Sequence, residues 1–271
     1  MIAPCPVRIL AYLHVSWAGV FAWDREVQVG ESQDIRLMAP KTAAKVALEH
    51  PETVIGIKIR LGRRTSGQNG MACFTHALEV AERTGLPIMA HIDEPPPSYS
   101  EICAALRAGD VLTHAFRPFP NTPLDGAGRV REAVLAARER GVIFDIGHGQ
   151  GSFAFETARG MLAEGFAPDV ISSDIHTLCI DGPAHDLVTT MTKFLHLGMD
   201  LADIVRACTT TPAAAVRRSE IARLRVGAPG DASIIALENG PVTLRDTTGA
   251  ELTAERRIAA RDVVIGGAVL R

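Results

Sequence analysis

The sequence predicts a parallel α/β fold: a TIM-type (β/α)8 barrel shortened at its N-terminus to about six βα units, followed by a small β-sandwich remnant. Three observations lead there. Short apolar runs without strict polar alternation recur six times, as expected of parallel strands buried on both faces. From the second run onward they return at intervals of about 24 to 33 residues, the size of a βαβ unit, with helical patterns between them. After about residue 222 the helical patterns stop and short strands with Gly, Pro and Asp turns take over.

The first run, "VRILAYLHV" (7–15), lies in a stretch, 9–23, that is uncharged and largely apolar. That stretch is shorter than the ~20 residues a membrane helix needs. It lacks the basic flank and small-residue cleavage site of a signal peptide. It therefore reads as a buried strand. The later runs are "TVIGIKI" (53–59), "LPIMAHI" (86–92), "DVLTHAF" (110–116), "GVIFDIG" (141–147) and "DVISSDI" (169–175). Helices are expected over 38–50, 71–85, 99–109 and 128–141, with Gly85, Gly109 and Gly141 as C-terminal stops and Ser98 before the third. Asp200 and Thr211 read as N-caps, and Pro212 suits a first helical position. The division is a barrel domain, 1–221, and a β segment, 222–271. Two further βα units are expected upstream.

Composition narrows the partners. The chain has 271 residues, 47% hydrophobic and 22% charged, with a net charge of -3. Lys and Arg are spread rather than clustered, which argues against a nucleic acid or an anionic membrane and for a small-molecule substrate. Five cysteines, far apart and without a C-x-x-C pair, fit a reducing cytoplasm and argue against a disulfide framework or a thiolate zinc site.

The polar residues of the runs then form a pattern. Lys58 lies near the end of the second run, His91 at the end of the third and His114 near the end of the fourth. His148 follows the fifth, and Asp174 ends the sixth. A lysine at a strand end can simply reach solvent, and one histidine can be a satisfied core residue. In a parallel barrel, however, the C-terminal strand ends share one mouth, where active sites of this architecture sit. Imidazole nitrogen combined with carboxylate oxygen is a donor mix suited to zinc or a similar divalent ion.

These strand-end residues resemble those of the amidohydrolase superfamily of metal-dependent hydrolases, with Lys58, His91, His114 and Asp174 matching the lysine, two histidines and aspartate of its fourth, fifth, sixth and eighth strands. The segment "ACTTTPAAAVRRSEIARLRVGAPGDASIIAL" (207–237) resembles the family's crossing from barrel to β-sandwich. "GIKIRLGRRTSGQNG", "HIDEPPPSYSEI", "THAFRPFPNT" and "DIGHGQGSF" are similar to its deacetylase-like, dihydroorotase-like branch. The resemblance covers nearly the whole chain. It implies that Lys58 reacts with carbon dioxide to give a carbamate, an anion bridging two metal ions, with His91, His114 and Asp174 as further ligands. It also implies hydrolysis of amide or ester bonds in N-acyl, O-acyl or cyclic amide substrates, with Asp174 as general acid and base and His148 and Arg60 near the substrate.

One departure stands out. The family's first strand carries H-x-H, and this sequence contains none; His14, in "LHVS", has the wrong spacing. One metal position keeps Lys58, His91 and His114, and the other keeps Lys58 and Asp174. The expectations are thus one or two zinc ions, association of open-edged copies into oligomers and, as alternatives, an inactive remnant or a Schiff-base aldolase using Lys58.

Overall fold

The computed structural model describes residues 5–21 and 24–270; Trp23, at the end of the apolar opening stretch, and the terminal Arg271 lie outside the described residues. The opening run forms strand β1 (Ala11–His14), and helix α1 (Pro40–Glu49) follows. Strand β2 (Val54–Leu61), helix α2 (Ala72–Thr84), strand β3 (Ile88–Ile92) and helix α3 (Tyr99–Ala105) come next. Strand β4 (Val111–Thr113), helix α4 (Glu132–Glu139) and strand β5 (Ile143–Asp145) complete the sheet. Its five strands stand in chain order β1-β2-β3-β4-β5, and every pair is parallel. This is the alternating parallel α/β architecture expected, with each strand laid beside its predecessor by a right-sized helical crossover.

The sixth run departs from expectation. Instead of a sixth strand it gives one parallel bridge, Asp145 to Val170, and then extended chain. The reason lies in its hydrogen bonds: Ile171 donates to the carbonyl of Ala207, while the carbonyls of Ser172 and Ser173 accept from His148 and Gly149 in the loop after β5. Helix α3 also ends early, at Ala105, so Gly109 is not its stop. Leu106 is extended and buried, and the Asp110 carboxylate captures the backbone N–H of Arg107 at 2.8 Å, closing a turn of its own.

Helices α5 (Phe155–Ala163), α6 (Leu187–His196), α7 (Leu201–Cys208) and α8 (Thr210–Ala215) fill the second half. Asp200 does stand at the N-cap of α7, but α8 starts at Thr210 and so places Pro212 third, not first. The C-terminal part is an antiparallel sheet of β6 (Ala232–Arg245), β7 (Glu251–Ile265) and β8 (Ala268–Val269). Among the described residues it is a single sheet, in keeping with the small sandwich remnant expected. Its buried face, Leu244, Ala254 and Ile258, joins the main core. Ile258 donates to Thr192 on α6 at 3.0 Å, and Asp246 accepts from the first N–H of α5 at 2.8 Å.

Candidate functional site

Alternation along β2 decides where a lysine in an apolar run goes. Ile57, Ile59 and Leu61 are fully buried in the core shared with the helices, so Lys58 and Arg60 turn to the opposite face. Register carries that face across the sheet. Arg60 pairs with His91, His91 with Thr113, Thr113 with Asp145, and Asp145 with Val170. These residues form one rung, and Lys58 sits two residues below it, beside His14 of β1.

The rung overlooks a cavity of about 330 Å³ whose wall includes Tyr12, Lys58, His114, Asp145 and Asp174. His114, one residue past β4, has φ 71°, and Asp174 has φ 47°. Left-handed backbone at a non-glycine residue costs on the order of 1–3 kcal/mol and persists where the surroundings impose it, often at functional sites. For His114 one imposing partner is the carbonyl of Gly147, which accepts from Nδ1 at 2.6 Å. A carbonyl can only accept, so the neutral ring carries its lone pair on Nε2. The His91 ring meets the His114 ring edge-on, with centroids 4.4 Å apart.

Electrostatics keep these groups ready to act as ligands. Burial pushes the Lys58 amine down to about 8, with Asp174 opposing the shift. Burial, reinforced by the cations nearby, holds both His91 and His114 well below the ordinary imidazole value, so they are neutral. Asp174 is exposed as a residue, yet its carboxyl reaches far enough into the mouth for desolvation to raise its pKa, against the pull of Lys58.

Lys58, His114 and Asp174 therefore share one cavity wall, and His91 stands against His114. The other two expected residues are placed differently. Arg60 is buried and lies 3.4 Å from the carboxylate of Glu31. His148 is fully buried, stacked on Phe153, with Nε2 2.6 Å from Lys193 Nζ. Sequence reasoning overlooked Glu31, which is fully buried and also 2.9 Å from His14 Nε2; its loop position carries no signal. It overlooked Asp145 and Lys193 as well. Asp145 breaks an apolar run just as Lys58 does, and Lys193 is a lone charge in the helical stretch "LVTTMTKFLH", so both were readable.

Among the described residues, no three His, Cys, Asp or Glu side chains converge to hold a metal by themselves. With Lys58 counted as a donor the set fits a divalent ion better. His91 Nε2 is buried without a hydrogen bond, and its nearest acid, Asp93, is 3.6 Å away. An orphaned buried nitrogen of this kind costs about 1–3 kcal/mol unless something binds it.

No family model matches the chain. A deacetylase of Enterococcus faecalis is 33% identical over 265 residues, covering 97% of this chain and 70% of that protein. A deacetylase of Agrobacterium fabrum is 30% identical over 266 residues, and this chain spans 65% of its length. Two solved structures superpose closely. One is an adenine deaminase, with a TM-score of 0.93, 32% identity, and coverage of 99% of this chain and 72% of that one. The other is a dihydroorotase, with a TM-score of 0.91, 31% identity, and coverage of 100% and 71%.

Proposed function

Because the chain belongs to the deacetylase-like branch of the amidohydrolase superfamily, we propose that it is a metal-dependent hydrolase of amide or ester bonds in small acylated molecules. The observation that carries this reading is the pairing of two neutral imidazoles, His91 and His114, next to a lysine whose amine burial has weakened as a base. His91, His114 and Lys58 would hold one divalent ion, for which zinc suits the donors, with Asp174 on the Lys58 side. An uncharged Lys58 amine can add to carbon dioxide, forming an N–C bond and losing a proton, and the resulting carbamate supplies the anionic oxygens that the histidines lack. When bound, such an ion lowers the pKa of water towards ~7 and polarises a carbonyl.

The protein's own groups supply the rest. Gly147 fixes the tautomer of His114 and thereby aims Nε2 away from the loop. Asp174 takes a proton from the attacking water and returns it to the leaving nitrogen or oxygen; its raised pKa suits a group that must do both. The cavity below the rung can hold a small substrate, since sites of this kind begin near ~300 Å³.

Binding and chemistry separate by substitution. Lys58→Ala and His91→Ala should lower the zinc retained by the purified chain in bicarbonate buffer. Asp174→Asn should retain metal but lose turnover by about 100-fold or more. Unchanged zinc stoichiometry in Lys58→Ala sinks the ligand assignment, and normal turnover in Asp174→Asn sinks the proton transfer. A wild-type chain that holds no zinc at all is the inactive remnant.

A further inference from the structure

Lys193, on α6, is fully buried, and the mechanism above does not use it. Its amine donates to the carbonyl of Pro183 at 2.8 Å and lies 2.6 Å from His148 Nε2. His148 Nδ1 is 3.0 Å from the carbonyl of Gly149, which can only accept. His148 Nε2 therefore presents a lone pair, and Lys193 donates to it. The two contacts reach both sides of Asp174.

Upstream, the His148 loop straps down the chain that leads into Asp174. Gly147 N–H donates to Ser172 Oγ at 3.0 Å, His148 N–H to the carbonyl of Ser172 at 3.1 Å, and Gly149 N–H to that of Ser173 at 3.0 Å. The same loop abuts the carboxylate: a Cβ at Gly149 would stand 2.6 Å from Asp174 Oδ2. Downstream, Cys179 donates to the carbonyl of Asp174 at 3.3 Å, and His185 N–H donates to the carbonyl of Cys179 at 3.2 Å. Pro183, in this turn, is the group Lys193 holds. Asp174 thus sits between two loops, with left-handed backbone, and one amine binds both.

We propose that Lys193 is a positioning residue for Asp174, an internal clamp that fixes the two flanking loops so that the carboxyl keeps its place at the cavity mouth. The proposal rests on the reading of Asp174 as the acid and base of a hydrolase. A buried amine that served packing alone would need neither hydrogen bond, and its loss would be felt evenly.

The test is a double-mutant cycle on the full zinc-supplemented chain with p-nitrophenyl acetate as probe, combined with hydrogen-exchange mass spectrometry. Lys193→Met should lower kcat by about 10–100-fold, the usual scale for an outer partner of a catalytic group, with KM little changed. Combined with Asp174→Asn it should cause little further loss, because both changes remove one function. Exchange should quicken over 147–149 and 172–183 but not in α2. Lys193→Gln, which keeps a donor, should recover part of kcat and covers the case in which the methionine variant does not fold. Full additivity with Asp174→Asn, or faster exchange throughout the chain, overturns the clamp. If Asp174→Asn abolishes turnover while Lys193→Met keeps wild-type kcat, only this inference falls. If Asp174→Asn keeps normal turnover, the acid–base reading falls and takes the clamp's catalytic role with it.

Discussion

Lys193 and Lys58 are both amines held below their free value by burial, Lys193 at about 7 and Lys58 at about 8. For Lys193 the opposing carboxylates are Asp246 and Asp186, and the facing imidazole, His148, is itself held at about 3 and stays neutral. The consequence for stability has a definite sign. Between pH 7 and 10.5 the unfolded chain still holds the Lys193 proton that the folded chain has released, so stability rises with pH across that window and is lost as pH falls through 7. Lys193→Met removes this dependence. The unfolding free energy of wild type minus that of the variant should therefore grow from pH 7 to pH 10, by on the order of a few kcal/mol. The constant loss of two hydrogen bonds does not affect that trend. A difference that stays flat over the range would contradict the weakened amine.

Two elements show how local chemistry positions distant groups. Ser98 and Glu101 form a complete capping box at the start of α3: Ser98 accepts from the Glu101 N–H at 3.2 Å, and Glu101 accepts from the Ser98 N–H at 2.8 Å. Ser98→Ala should cost about 1 kcal/mol, which lowers the melting midpoint by roughly 2–4 °C in a chain of this size. Gly147 does something subtler. Its φ is 46°, and a Cβ there would lie 2.3 Å from Thr113 Oγ1 and 2.9 Å from His114 Nδ1. Gly147→Ala should displace the His114 ring and reduce zinc retention more than it lowers the melting midpoint; wild-type zinc retention would show that the ring is held by other means. The same elements explain what was legible beforehand. Apolar runs revealed β2 and β3 and, within them, Lys58 and His91, because strands buried on both faces tolerate few polar residues; His114 and Asp174 stood out at the ends of apolar runs although both lie outside the strands. Helices α5 and α6 escaped although Gly165 and Gly198 follow them with left-handed backbone, as Gly141 follows α4; the stop signals were there to read. The placement of His148 and Arg60 was illegible for a different reason. Their partners, Lys193 and Glu31, are 45 and 29 residues away in the chain, and no local pattern records such pairs.

At the scale of the molecule, strand β1 pairs with β2 alone in the main sheet among the described residues, so its other side is an edge there. Near it the chain exposes Trp17, Val20, Val27 and Val29, with Trp17 72% accessible. Uncovered strand edges and apolar clusters favour association. Sedimentation velocity should show the chain self-associating with rising concentration, and Trp17→Asp should shift it towards monomer; a wild-type chain that remains monomeric throughout would refute the open edge as an interface. The rung from Arg60 through His91 and Thr113 to Asp145 has a consequence for how this chain can change length. Its members share one face of the sheet only because three pairings are in step, and a side chain's face reverses with every residue along a strand. Deleting one residue within β3 ahead of His91 would send that imidazole into the helix-packed core and bring Ile92 or Ala90 to the cavity. Adding residues in an exposed turn such as 125–129 leaves every rung member in place. Insertions and deletions in descendants of this sequence should thus accumulate in the turns and be absent from the strands, whatever substrate those descendants come to use.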